Sequence, residues 1–147
     1  MMKYIGIDPG INGGVAIIDQ FYSLTCFKCP KSPQEMAHSI KEHLDGSCVA
    51  LLEKVHSFPG QGVVSTFTFG ANYGQWQGIL SAFEIKFDLI TPKVWQQRFQ
   101  PLSKEKKIRK KELKEIAIKA FPSTKVTLYT SDAILLALYL RESYNEQ

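Results

Sequence analysis

Long apolar runs are missing from this sequence. No uninterrupted hydrophobic stretch approaches the about 20 residues that a helical membrane span needs. The first residues carry neither the basic start, the apolar core nor the small-residue cleavage site of a secretion signal. We therefore expect a cytoplasmic protein with no membrane partner. Cysteine is scarce, with only Cys26, Cys29 and Cys48, too few for a disulfide framework. Cys26 and Cys29 form a C-x-x-C within an alternating stretch that reads as a strand. Residues i and i+3 of a strand point to opposite faces, and no second Cys/His pair follows at zinc-finger spacing. Buried, reduced thiols are expected there, not a metal or redox pair. Disorder is excluded as well, because 44% of the residues are hydrophobic and 22% are charged. The length suits one domain covering residues 1–147.

What is present is unevenly distributed. Between Lys104 and Lys119 stand eight basic and three acidic residues, a local excess of five, whereas the rest of the chain carries a net −1. A charge run is usually a solvated face. Here the imbalance of sign points to phosphate contacts. The candidates are Lys104, Lys106, Lys107, Arg109, Lys110, Lys111 and Lys114.

In chain order, Tyr4-Ile5-Gly6-Ile7-Asp8 reads as a buried strand, stopped by Pro9-Gly10. Ile11-Asn12-Gly13 has hairpin chemistry and leads into a second strand, Gly14 to Asp19. A third strand is expected over Tyr22 to Cys29. Ser32-Pro33-Gln34-Glu35 has the pattern of a helix start, followed by an apolar face of Met36, Ala37, Ile40 and Leu44 and a stop at Gly46. His38 and His43 lie off that face and read as solvated. Cys48 to Glu53 is almost wholly apolar, as a strand buried on both sides should be. A glycine-containing loop follows, with Phe58 flanked by Pro59 and Gly60.

From Ser65 to about Phe83 the pattern is helical, with Gly70, Gly74 and Gly78 on one face. Each glycine costs roughly 1 kcal/mol against alanine in a helix, so close backbone approach is the expected return. Packing against the protein's own sheet is slightly favoured over contact with a second copy. Ile85 to Ile90 alternates as a strand, and Thr91-Pro92 opens a short helix carrying Trp95. A basic helix is expected from Ser103 to Phe121, with an apolar stripe of Leu113, Ile116, Ala117 and Ala120. The last helix runs from about Thr130 to Ser143, capped by Thr130 or Ser131. Asp132 in its first turn suits the helix dipole. It also lies at the end of a buried stripe with Leu135, Leu136 and Tyr139, where an unpaired carboxylate is expensive. A bound cation would supply the partner.

Carboxylates thus end the first strand (Asp8), end the fourth (Glu53) and start the last helix (Asp132). In this order the chain resembles the RNase H-like superfamily, and more closely the RuvC-type Holliday-junction resolvases carried by phages and prophages. The resemblance rests on Ile5-Gly6-Ile7-Asp8-Pro9-Gly10 with Gly13-Gly14, Leu51-Leu52-Glu53, the Gly70/Gly74/Gly78 helix, Thr91-Pro92 with Trp95, and Ser131-Asp132-Ala133-Ile134-Leu135-Leu136-Ala137. It implies an α/β fold, with a mixed five-stranded sheet whose first three strands are antiparallel, flanked by helices. It implies a homodimeric endodeoxyribonuclease that cuts four-way junctions and, by extension, flaps or forks, in a bacterial or phage-infected cytoplasm. Asp8, Glu53 and Asp132 would hold two Mg²⁺ or Mn²⁺ ions, hard cations that prefer oxygen ligands. Gly70, Gly74 and Gly78 would form a dimer contact. Phe58 would stack on an unpaired base at the branch point, or else fold back as a lid on the core.

One departure stands out. Bacterial members of that family usually carry a further acid one turn before the final Asp-Ala pair, where this chain has Leu128 and Tyr129. Thr130, Ser131 or the scissile phosphate would then supply the missing oxygens. Two other readings compete. A sugar-kinase or actin-like ATPase also begins with a strand, an Asp and a glycine hairpin, but needs a second such domain and a repeat of the Asp8 motif, neither of which is found. A branched-DNA-binding protein with weak or no cleavage accommodates the missing acid but leaves three carboxylates near phosphates without a purpose.

Overall fold

The computed structural model describes residues 1–57 and 59–147. Five strands, β1 (Met2–Asp8), β2 (Gly14–Asp19), β3 (Leu24–Lys28), β4 (Ser47–Glu53) and β5 (Lys86–Ile90), form one sheet in the order β3-β2-β1-β4-β5. β1/β2 and β2/β3 pair antiparallel, and β1/β4 and β4/β5 pair parallel. This is the mixed sheet that the resemblance implies. Helices α1 (Pro33–Lys41) and α2 (Val63–Ala82) cover one face, and α3 (Pro92–Gln96), α4 (Lys106–Ala120) and α5 (Ser131–Asn145) cover the other. The period-two alternation of the strands sorts the core into two layers. Tyr4, Ala16, Ile18, Val49 and Leu51 meet α4 and α5, while Ile5, Ile7, Val15, Ile17 and Leu52 meet α1 and α2. Cys26 joins the first cluster and Cys29 the second, so the C-x-x-C sulfurs serve opposite faces.

α5 is the inner helix. Ser131, Ala133 to Leu138 and Leu140 are all buried, and the helix rests on β1, β2 and β4. Its seat depends on two glycines of the sheet. A methyl group on Gly6 would collide with the Ala133 carbonyl and come 2.5 Å from the Ala137 amide nitrogen. One on Gly14 would strike the Tyr129 carbonyl. These positions require glycine because the backbone of α5 and its approach lie directly on the sheet.

Several element ends differ from the sequence reading, each for a local reason. β3 starts at Leu24 and not Tyr22, because Asp19 Oδ1 accepts from the amides of Phe21 and Ser23 and holds them in a turn where Tyr22 takes φ 65°. α1 begins as expected, with Ser32 Oγ accepting the Glu35 amide at 3.1 Å, but it ends at Lys41 and not at Gly46. Gly46 serves the next strand instead, where a side chain would strike the Met1 carbonyl beside the Ser47 pairing. α4 starts at Lys106 and not Ser103, because Ser103 Oγ caps the Glu105 amide in a separate turn. Lys104 therefore precedes the helix. Ala120, expected in the apolar stripe of α4, is exposed, whereas Leu113 and Ala117 are buried. Thr130 occupies the cap position of α5, but its hydroxyl is engaged with Thr127 and caps no helix amide.

The glycine stripe of α2 is the larger correction. The buried face of this helix is Asn72, Trp76 and Leu80, with Tyr73 and Ile79 beside it. Gly70, Gly74 and Gly78 point away, and a Cβ on any of them meets nothing within 4 Å. They do not pack against the protein's own sheet. Val63 and Phe67 continue this outward face, 86% and 78% exposed.

Two substitutions check this division. Gly6→Ala should lower the unfolding free energy by about 3 kcal/mol or more, because backbone cannot yield to the added methyl. Gly74→Ala should raise it in the isolated chain by up to about 1 kcal/mol through helix propensity alone. Urea titration of both variants reads the two signs, and a destabilised Gly74→Ala chain would contradict the open face.

Candidate active site

β1 and β4 are parallel neighbours, so their carboxyl ends emerge side by side. Ile7 pairs with Leu52, which sets Asp8 next to Glu53. Crevices for ligands form outside such strand ends. The first turn of α5 brings Asp132 to the same place, and Asp8, Glu53 and Asp132 line one cavity of about 450 Å³. Its other walls include Lys54, His56, Phe69, Gln96, Lys106, Arg109, Lys110 and Leu113. Three acids from distant parts of the chain thus converge, and α4 supplies the facing cations.

The electrostatics of this arrangement are unfavourable for three free carboxylates. Burial raises the Asp8 pKa well above the usual carboxylate range, and the nearby Glu53 and Asp132 charges raise it further, while Lys110 opposes them. Glu53 is pushed up to about 7, mainly by burial and also by Asp132, against the Trp95 hydrogen bond and Lys110. Burial raises Asp132 too, offset by Lys110 and Arg109. Among the described residues, Lys110 is the one cation that acts on all three.

The hydrogen bonds show which oxygens are committed. Trp95 is fully buried, and a buried indole N–H needs an acceptor. It donates to Glu53 Oε2 at 2.8 Å. Asp132 Oδ1 is buried with no hydrogen-bond partner, an arrangement that costs free energy unless something outside the chain completes it. Carboxylate oxygens are suitable donors for hard cations. The orphaned Asp132 oxygen, the mutual charge repulsion and the cavity between the acids all fit a divalent cation. Among the described residues, however, no three His, Cys, Asp or Glu side chains are already drawn together as a ligand cluster. The acids border a shared space without closing on one point. Tyr129 stands where a fourth acid was sought, and Thr130 spends its hydroxyl on Thr127.

The turn after Asp8 is fixed from the opposite side of the sheet. Asn72, buried on α2, accepts the Gly10 amide through Oδ1 at 2.7 Å and donates through Nδ2 to Cys29 Sγ at 3.4 Å. Gly10 takes φ 110°, and the Phe69 ring lies over it where a Cβ would be. The positive φ of this turn falls on Gly10 and not within Asn12-Gly13.

Of the expected DNA-contacting residues, Lys106, Arg109 and Lys110 line the cavity, whereas Lys104, Lys107, Lys111 and Lys114 do not. Phe58 lies outside the described residues. The sequence reading gave no role to Trp95, Asn72 or Phe69. A buried Trp demands an acceptor, which is a usable signal; nothing local marks Asn72.

No family model and no curated protein matches this sequence. Solved structures do. T. thermophilus RuvC in complex with Holliday junction substrate superposes with a TM-score of 0.65 at 13% identity, covering 95% of this chain and 92% of that one. A further Thermus thermophilus RuvC structure gives 0.64 at 12%, covering 99% and 97%. The fold is RuvC-like. At such identity the likeness extends to the arrangement of strands and helices, and the chemistry rests on the residues described above.

The raised Glu53 pKa has a measurable consequence. Without a cation the folded chain keeps this proton to about pH 7, whereas the unfolded chain releases it near 4.5. The resulting stability is complete below the unfolded value and is lost as pH rises through 7, at about 1.4 kcal/mol per pH unit. In EDTA the melting temperature should therefore fall between about pH 4.5 and about pH 7. Glu53→Gln should flatten that fall, and Mn²⁺ should reverse it in the native chain. Parallel melting curves for the two proteins would show that Glu53 is ionised throughout.

Proposed function

We propose that this chain is a metal-dependent, structure-selective endodeoxyribonuclease that cleaves four-way junctions and related branched DNA. The observation that carries the reading is the convergence of Asp8, Glu53 and Asp132 in one cavity faced by Lys106, Arg109 and Lys110. The RuvC-like fold supports it, because a chain of that fold is seen with a Holliday junction substrate. Phage and prophage resolvases are the form that the sequence resembles.

Asp8, Glu53 and Asp132 are the residues that would hold Mg²⁺ or Mn²⁺, two ions in the reading we adopt. Such ions lower the pKa of water and neutralise charge on a leaving oxygen. The chain's own groups do the rest. Trp95 fixes one oxygen of Glu53 and leaves the other for the cavity. Lys110 and Arg109 balance the acids and offer charge to a phosphate beside them. Lys104, just before α4, and Lys107, Lys111 and Lys114 on it extend the positive tract for phosphates farther from the cut. No side chain needs to form a covalent bond with DNA. The outward face of α2, with Val63, Phe67, Gly70, Gly74 and Gly78, is the surface we assign to a second copy. Glycines there let two backbones approach closely, and two copies would place two cavities for paired cuts.

A second reading, branched-DNA binding with weak or no cleavage, is favoured by Tyr129 in place of an acid and by the open spacing of the three carboxylates. A nicking assay on a four-way junction with Mg²⁺, Mn²⁺ or EDTA separates the two.

Under the nuclease reading, Asp8→Asn, Glu53→Gln and Asp132→Asn should each abolish cleavage and leave junction binding equal or tighter, since each removes negative charge near phosphates. Wild-type cleavage by any one of them would remove that residue from the site. Neutralising Lys106, Lys107, Arg109 and Lys110 should lower the slope of log K against log salt by about 0.9 for each phosphate that is no longer neutralised; an unchanged slope would return α4 to a solvated role. For the assembly, Phe67→Asp should convert a dimer to a monomer in sedimentation velocity. If the native chain already sediments as a monomer, the α2 assignment fails.

A further inference from the structure

The last register row of the sheet does not end at the carboxylates. Asp8 pairs with Gly14, and Gly14 pairs with Lys28. Cross-strand partners share a face, so Lys28 stands on the α5 side with Asp8 and Glu53, two strand spacings or roughly 10 Å from Asp8. Gly14 contributes no side chain between them, and the Tyr129 carbonyl occupies that place. The Lys28 ammonium lies 4.2 Å from the centroid of the Tyr129 ring. Lys28 is exposed and Tyr129 is 41% exposed.

Lys28 faces the Tyr129 ring and acts on the neighbouring Cys29 thiol, but among the described residues no carboxylate lies within ion-pair distance of it. It also differs from the cations of α4, because Lys110 and Arg109 act on the buried acids whereas Lys28 does not. A lysine side chain has many rotamers, and an aromatic face beneath its ammonium restricts them. The row therefore reads, from edge to centre, an oriented free cation, a gap, and two of the three acids. Lys106, Arg109 and Lys110 of α4 line the cavity with the acids, and Lys28 does not.

We propose that Lys28 is a backbone-phosphate contact on the β3 side of the site, held in place by the Tyr129 ring. It takes a phosphate beyond the scissile one, so that the strand to be cut is gripped on both sides of the carboxylates. Tyr129 is a positioning residue in this scheme and touches no reacting atom. The inference rests on the nuclease reading above, but it concerns binding and can fail separately.

The test is a salt titration of binding by the full chain to a labelled four-way junction in EDTA. Lys28→Ala should lower the slope of log K against log salt by about 0.9, or about 0.7 if the contacted strand is single. Lys28→Arg should restore it. Tyr129→Phe should bind as the native chain does, and Tyr129→Ala should weaken binding part-way towards Lys28→Ala, with all four melting temperatures unchanged. Lys41→Ala, an exposed lysine on α1, should leave the slope unaltered. A native slope for Lys28→Ala, or equal reductions from Lys28→Ala and Lys41→Ala, would overturn the proposal and leave the nuclease reading standing. Failure of the native chain to bind any branched DNA would remove both.

Discussion

The crowding of three half-buried carboxylates, poorly solvated and close in charge, is the constraint around which this molecule is arranged. Left alone, Asp8, Glu53 and Asp132 would separate or take up protons. The fold prevents the first by anchoring each acid to a different rigid element: two parallel strand ends and the first turn of an inner helix. It moderates the second with Lys110 and Arg109 from α4 and with the Trp95 hydrogen bond. The remaining imbalance shows as carboxyl groups raised above their ordinary range, with Glu53 keeping its proton to about pH 7. Such a site can exchange protons for a cation, so an arrangement that weakens the free protein is one that a bound cation would relieve.

The supporting contacts come from both faces of the sheet. On the α5 side, Gly6 and Gly14 let the helix backbone sit directly on the strands. On the other side, Asn72 and Phe69 of α2 fasten the turn after Asp8. One helix therefore has two dissimilar faces. The inner face of α2 controls the backbone beside a catalytic candidate, and the outer face is glycine-lined and apolar. Two faces on opposite sides of one rigid helix need little else to stay in fixed relation.

The parts of the site readable in the sequence were those announced locally. Asp8 is followed at once by Pro9-Gly10, Glu53 closes an apolar run, and Asp132 heads an apolar helix. Each signal lies within a few residues of the acid. The strand directions came with the resemblance and agree with the pairing observed. The unread parts depend on residues far apart in the chain. Trp95 and Glu53 are 42 positions apart, and Asn72 and Gly10 are 62. The stripe on α2 is legible, but of its two readings the slightly favoured one, packing on the sheet, does not occur, because the periodic Asn72, Trp76 and Leu80 take that side. The early start given to α4 failed for a different reason. Lys104 and Glu105 have helical composition, but the Ser103 hydroxyl, the Glu112 carboxylate and the Arg109 guanidinium hold this segment in a turn.

The glycines beneath α5 also have a meaning for how such a site can change over time. The depth at which Asp132 sits is set by side chains that do not exist at positions 6 and 14, so it works as a fixed stop and not as a tunable spring. Ordinary drift in the core, a methyl added here or removed there, can adjust the packing around Trp95 or Leu113 in small steps. No comparable small step is open at Gly6 or Gly14, where the first increment in size is already a collision with backbone. The spacing between the helix acid and the two strand acids is therefore inherited whole or not at all, while the loops and charged tracts around it remain free to diverge.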